Sequence, residues 1–350
     1  MSDSLESLRR KINGATELDS VVRTMKVLAA SSIVQYERAV HSLDDYYRTV
    51  ELGLVAWLGQ AGAAIYSDVG AHKNKGVTGA VVFGSDQGLV GQFNEVLADF
   101  VVNKLGDMPG SKYVWGVGER VQGHLADAAL PVTGNFSVPN SIAAITSLVA
   151  RILIEVETLR EQGKVAQVYL FHNRPKSGAV YESVIQRLLP LDDTWRRGLV
   201  ELPWPTGNLP EVITGGEPTL QALIREYLFI SLFRACAESL ASEHASRLAA
   251  MQRAEKNIDE LLEELNQTFH RLRQSGIDEE LFDVISGFEA LAAPVQPMAN
   301  HQERKDQDEN RYQGFPCPAG KKGQARKVAN TGEADLSVKK TIPGAPRKTG

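Results

Sequence analysis

The residues best placed to do chemistry lie at 84–94, GSDQGLVGQFN, where an apolar run ends in a glycine-rich turn that opens onto a helical pattern. A strand, glycines and a helix N-terminus together form the cradle in which backbone N–H groups bind phosphate. The P-loop spacing G-x-x-x-x-G-K-[ST] is absent here and elsewhere in the chain. Asp86 has the chemistry of a metal ligand, but no second carboxylate lies close by, so it is read as a turn-forming or packing residue. Gly88 and Gly91 shape the same loop, and Asn94 is expected to cap the helix that follows, which runs to about Leu105. A second candidate is Gly-Val-Gly at 116–118, between a predicted strand and a predicted helix. A dinucleotide fingerprint needs its third glycine at 121, which is Val121, and Gly123 comes two positions late. Seven histidines are spread over the chain with no H-x-x-x-H pair, and His124, His172, His244 and His270 are read as surface or core residues. No G-x-S-x-G elbow occurs. The residues alone assign no catalytic, cofactor-binding or metal-binding side chain.

Architecture is the stronger signal. From Glu217 to Leu291 there is no proline after Pro218, and apolar residues recur in threes, fours and their sums: Leu220, Leu223, Tyr227, Ile230, Leu240, Leu248, Met251, Ile258, Leu261, Leu265, Phe269 and Leu272. A helix of this length would reach on the order of 100 Å and cannot bury its stripe alone. Alanines at 235, 237, 241, 245, 249, 250 and 254 keep its middle thin. Residues 4–58 carry a matching seam through Leu5, Leu8, Ile12, Ala15, Val22, Met25, Ala29, Tyr36, Val40, Leu43, Tyr47, Val50, Leu54 and Trp57. Two such helices at opposite ends of one chain pair most simply antiparallel.

Between them, residues 59–76 read as a flexible connection and 77–191 as a Rossmann-like α/β domain. Its expected strands are 77–83, 112–117, 132–136, 165–171 and 180–189, with helices at 94–105, 119–128 and 139–161 and a hairpin turn at Pro175–Gly178. Residues 192–216, with three prolines, read as a linker back to the C-terminal helix at 217–291. Residues 292–350 read as a disordered basic tail. The fold class is therefore α/β, with a long antiparallel coiled coil of the N- and C-terminal helices beside a Rossmann-like domain.

The 350 residues are 43% apolar and 23% charged, with a net charge of −5. From residue 301 onward there are 11 Lys+Arg against 6 Asp+Glu, so this segment carries +5 and the preceding residues −10. A mildly acidic body does not suit a nucleic-acid binder. Cys236 and Cys317 make neither a disulfide framework nor a zinc site. No charge-free window long enough to span a membrane occurs, and a cytoplasmic location is expected.

Three stretches together resemble one family. Residues 8–30, LRRKINGATELDSVVRTMKVLAA, are similar to the N-terminal helix of the gamma subunit of F-type ATP synthases. Residues 85–94, SDQGLVGQFN, resemble that family's S-D-x-G-L-x-G-x-x-N loop. Residues 241–262, ASEHASRLAAMQRAEKNIDELL, and 273–291, RQSGIDEELFDVISGFEAL, resemble its C-terminal helix. The wording VVRTMK, in place of the commoner ITKAMK, is closer to gamma subunits of the alternate bacterial N-ATPase group. The resemblance implies a non-catalytic central shaft that turns inside a hexamer of alpha and beta subunits, its α/β domain resting against the epsilon subunit and the ring of c subunits. It implies a peripheral position on the cytoplasmic face of a bacterial inner membrane, membrane contact only through the complex, no nucleic acid and no cofactor. Carried over residue by residue, it implies that Met25, Lys26, Arg247 and Gln274 meet the hexamer, with Glu243 pairing to Arg247 one turn away. Asp278 stands where the family usually has threonine.

Two other classes fit the residues without the resemblance. One is a nucleotide-binding enzyme with a Rossmann-like domain. The other is a coiled-coil scaffold with a basic tail.

Overall fold

Long amphipathic helices hide their apolar stripes only against other apolar surface, and the two terminal helices do so largely against each other. The computed structural model describes residues 4–61, 77–176, 179–191, 193–208 and 216–292. Helix α1 spans Leu5–Ala61 and helix α6 spans Glu217–Ala292. Pro218 sits in the first turn of α6, where a missing N–H breaks no helical bond. Contacts between the two pair rising numbers with falling ones. The Arg9 guanidinium lies over the Phe269 ring, Lys26 Nζ donates to Glu255 Oε2 at 2.6 Å, Tyr36 stacks on His244, and Tyr46 Oη donates to Glu226 Oε1 at 2.7 Å. The pair is antiparallel, as the seams predict.

The α1 seam is buried at Leu8, Ala15, Ala29, Tyr36, Val50, Leu54 and Trp57, while Leu5 at its start is exposed. On α6, Leu220, Tyr227, Ile230, Leu240 and Met251 are buried. Farther on, the expected Leu261 is exposed and its neighbour Leu262 is half-buried. The seam there runs Ile258, Leu262, Leu265, Phe269 and Leu272, alternating fours and threes as a two-helix interface requires. Beyond about residue 273, α6 passes the first described residue of α1. Ile277, Leu281, Phe282, Val284, Ile285 and Phe288 of that extension are all exposed.

The α/β domain matches its predicted alternation. Strands β1 (Val77–Phe83), β2 (Ser111–Val117), β3 (Val132–Phe136), β4 (Gln167–Lys176) and β5 (Ala179–Leu189) form one sheet in the order β3-β2-β1-β4-β5. The first four are parallel and β5 runs antiparallel to β4 at the edge. Helices α2 (Phe93–Gly106) and α3 (Glu119–Asp127) cover one face, where Ala80, Val82, Val114 and Phe171 point. Helix α4 (Ile142–Glu161) and the bases of α1 and α6 cover the other, against Val81, Phe83, Trp115 and Leu170. No described helix is long and apolar enough to cross a membrane.

Four local expectations differ. Asn94 does not cap α2, because the helix begins at Phe93 after Gln92. Helix α4 starts at Ile142 rather than 139, since the Ser141 side chain accepts from Ala144 N and makes that serine the cap. The linker contains a short helix, α5 (Asp193–Val200), because Leu199 is buried and the Trp195 ring packs edge-on against Tyr227. Strand β4 continues through Pro175, and the β4–β5 register shifts between Arg174 and Lys176, where proline has no N–H to give the ladder. Residues 1–3, 62–76, 177–178, 192, 209–215 and 293–350 lie outside the described residues, and with them most of the predicted connection and tail.

Leu54 is fully buried where α1 meets the sheet. Leu54→Ala should lower unfolding free energy by about 2–5 kcal/mol in a denaturant titration, as for other buried leucines. An unchanged midpoint would show that the base of α1 does not belong to this core.

Candidate functional site

In open α/β sheets, ligands enter the crevice beyond the carboxyl ends of the strands, at the point where strand order reverses. Here the reversal falls between β1 and β4, because the helices after β1 and β2 cover one face and the helix after β3 covers the other. Phe83 ends β1 opposite His172 of β4, which runs on to Lys176 beside β5 and leaves its β1 side without a neighbouring strand. Helix α6 takes up that side. Ser239 Oγ donates to the Phe83 carbonyl at 2.9 Å, and Ser242 Oγ donates to the Asn173 carbonyl at 3.1 Å. Both serines are buried, and so is Glu238, whose Oε2 lies 2.8 Å from His172 Nε2. The place where a doubly wound fold takes a ligand is thus filled by the chain's own helix.

The 84–94 loop is built to hold its own shape. Asp86 accepts from Glu119 N at 3.0 Å through Oδ1 and from Val138 N at 2.9 Å through Oδ2, which ties the start of α3 to the segment after β3. Both carboxylate oxygens are engaged by backbone, the packing role read from the sequence. Asn94 is buried inside the first turn of α2. Its Oδ1 accepts from Ser85 N at 3.0 Å and its Nδ2 donates to Ser85 Oγ at 2.8 Å. The Gly-Val-Gly turn has a local cause too: Gly118 has φ of 109°, and a Cβ there would stand 2.7 Å from the Ser85 backbone. At the loop tip, Leu89 is exposed with φ of 63°, Gly88 faces Arg120, and Gly91 faces Arg253.

The residues expected to meet a hexamer divide into two groups. Met25 and Lys26 are half-buried on α1, with Lys26 paired to Glu255, and Gln274 and Asp278 are exposed where α6 outruns α1. Glu243 and Arg247 form the expected pair at 2.8 Å, but both are buried within this chain, at 5% and 7% exposure. An outward-facing arginine is therefore not what the fold builds. Arg247 also reaches His244, its Nη1 donating to Nδ1 at 3.2 Å. Among the described residues, Glu243 Oε2, Arg247 Nε and Ser246 Oγ are buried without a hydrogen-bond partner. Burial pushes the Glu243 carboxyl above its ordinary range, against the pull of Arg247 and with a further push from Asp86. Burial, with the Arg247 charge adding to it, pushes His244 down to about 4.

Sequence reasoning missed His172, Asn173, Glu238, Ser239 and Ser242 as the residues that join helix to sheet. The signal was present as polar side chains interrupting the most apolar, alanine-rich part of the α6 pattern.

A two-helix shaft rooted in an α/β domain, its ligand crevice stopped by the shaft itself, is the frame of a mechanical or assembly protein. The family model described as ATP synthase matches residues 4–291. The chain is 27% identical over 298 residues to an ATP synthase gamma chain of Anaeromyxobacter sp. (strain Fw109-5), covering 82% of this chain and 99% of that one. It is 26% identical over 294 residues to the ATP synthase gamma chain of Clostridium pasteurianum, covering 83% and 99%. In structure it resembles a chain of the Euglena gracilis mitochondrial ATP synthase rotor, with a TM-score of 0.56 at 15% identity, over 78% of this chain and 98% of that chain. The chain belongs to the ATP synthase gamma family.

The depressed His244 has a signed consequence. As pH falls from about 6.5 to about 4, the unfolded chain takes up a proton that folded His244 refuses, so stability is lost across that window. His244→Gln should remove part of this acid-side loss, read as a flatter dependence of melting temperature on pH than in the wild type. Parallel pH profiles would show that the ring titrates freely.

Proposed function

We infer that the chain is the rotating central shaft of an F-type ATP synthase, coupling ion passage through a membrane ring of c subunits to ATP synthesis or hydrolysis in an alpha/beta hexamer. The observation that supports this most directly is the apolar flank that the paired helices leave uncovered. Leu18, Val21, Val27, Leu28 and Val34 of α1 are exposed, and so is the run from Ile277 to Phe288 where α6 stands beyond α1. Apolar surface on this scale marks a contact with other subunits. A sleeve of alpha and beta subunits around the helix pair would cover it.

In this reading Met25, Lys26, Gln274 and Asp278 contact the hexamer from the outer face of the shaft. Glu243 and Arg247 act from inside, holding α6 in place behind the 84–94 loop. The shaft is made of residues 1–58 and 217–291, and residues 77–191 form the foot that rests on the epsilon subunit and the ring. The complex lies on the cytoplasmic face of a bacterial inner membrane, with this chain peripheral to it. The VVRTMK wording favours the alternate N-ATPase group within the family. A dinucleotide-binding enzyme would require α6 to leave the crevice it fills.

A tagged chain expressed with its full operon should copurify with an ATP-hydrolysing complex containing alpha and beta subunits. Recovery of the chain alone, from cells that make all the subunits, would contradict the assignment.

A further inference from the structure

A shaft that carries torque must not slip against its foot, and apolar packing alone is a poor guard against slipping because it has no direction. Directional hydrogen bonds select one register. The junction of α6 with the sheet contains a continuous polar line that meets this need. His172, on β4, lies within 2.8 Å of Glu238 Oε2; Glu238 Oε1 accepts from Arg234 Nε at 2.8 Å; and Arg234 Nη1 lies 3.2 Å from Asp44 Oδ1 on α1. The Arg234 guanidinium also lies over the Tyr47 ring of α1. Since an ionised Glu238 can only accept, His172 must donate from Nε2. The line crosses three bodies: sheet, α6 and α1.

The His172 end is not arranged for stability. His172 is 3% exposed, and its Nδ1 is buried with no hydrogen-bond partner among the described residues. An apolar side chain would cover the same surface without that loss, so the pair is weak evidence for stability, and fixing register is the best-attested use of such buried polar pairs. Ser239 and Ser242 follow Glu238 on the same helix and donate to the Phe83 carbonyl of β1 and the Asn173 carbonyl of β4. Asn173, next to His172, ties the same strand to α2 and β5 by donating to the Phe93 carbonyl at 3.1 Å and accepting from Ser183 Oγ at 2.7 Å.

We propose that the His172–Glu238–Arg234–Asp44 line is a registry lock that fixes the angular position of the helix pair on the α/β domain, making His172 and Glu238 positioning residues for torque transfer. The proposal rests on the rotor reading. A foot that slips lets the hexamer hydrolyse ATP without driving ions, so the lock governs coupling more than turnover.

The test uses the assembled complex in membrane vesicles, with ATP hydrolysis and ATP-driven membrane potential measured together, a readout that serves for any transported cation. His172→Leu should hydrolyse ATP near the wild-type rate while potential per ATP falls about threefold or more, within the range over which network mutations alter coupling. His172→Gln, which keeps a donor facing Glu238, should restore most of it. Normal potential per ATP in assembled His172→Leu overturns the lock, and so does a loss that His172→Gln fails to repair. If His172→Leu does not assemble, Asp44→Asn at the half-exposed end of the line decides: a lowered ratio supports the lock and an unchanged one overturns it. Wild-type chain that never joins alpha and beta subunits overturns the rotor reading itself.

Discussion

A helix of 76 residues carries more apolar flank than one small domain can cover, and the rest of the chain follows from where that flank is hidden. Its first third packs against the sheet and the base of α1, its middle against α1 with the 84–94 loop and the β4–β5 hairpin close by, and its last turns against nothing within the described residues. This graded burial makes one element serve as anchor, shaft and exposed tip. The antiparallel partner covers one side only, which leaves an apolar outer surface for other subunits. Small side chains follow the same logic: Ala235, Ala237 and Ala241 are buried where α6 meets the sheet, while Ala241, Ala245 and Ala249 line a groove of about 460 Å³ with Glu37 of α1 and Lys176 of the hairpin.

The α/β domain keeps the topology of a ligand-binding fold and uses its crevice for something else. Beside the crevice where such folds take a ligand, the Phe83 carbonyl of β1 and the Asn173 carbonyl of β4 accept from serines on α6. Buried polar groups raise the cost of misplacing the helix, because each one left unpaired loses its hydration without compensation. The glycine-rich loop, which invites a phosphate reading, spends its side chains on internal bonds from Asp86, Ser85 and Asn94. The same architecture therefore yields a fixed joint where a binding site would otherwise lie.

Much of this was legible in the amino-acid sequence because it depends on period. The α1 seam, the α6 stripe and the strand–helix alternation are repeats that a pattern reveals, and β3 runs from Val132 to Phe136 as expected. The slip from Leu261 to Leu262 arose because two adjacent leucines satisfy the local pattern equally and only the partner helix chooses between them. Helix α5 was hidden among prolines, since it is held by tertiary packing, the burial of Leu199 and the contact of Trp195 with the distant Tyr227 ring, rather than by a pattern within its own eight residues. The site was harder still. That Glu243 and Arg247 pair followed from their spacing of four, but that they are buried depends on tertiary packing, which spacing does not encode. The line from His172 to Asp44 joins residues from three elements and has no sequence pattern of its own.

In the proposed rotor, helix pair and α/β domain turn as one body, the pair inside a stationary hexamer and the domain at its foot. The most direct measurement fixes the alpha/beta hexamer to a surface, attaches a visible probe to an exposed position on the α/β domain, and follows that probe while ATP is hydrolysed. Continuous rotation in one direction, stopping when ATP is exhausted, is the expected result. Hydrolysis at a normal rate with a stationary probe would contradict it.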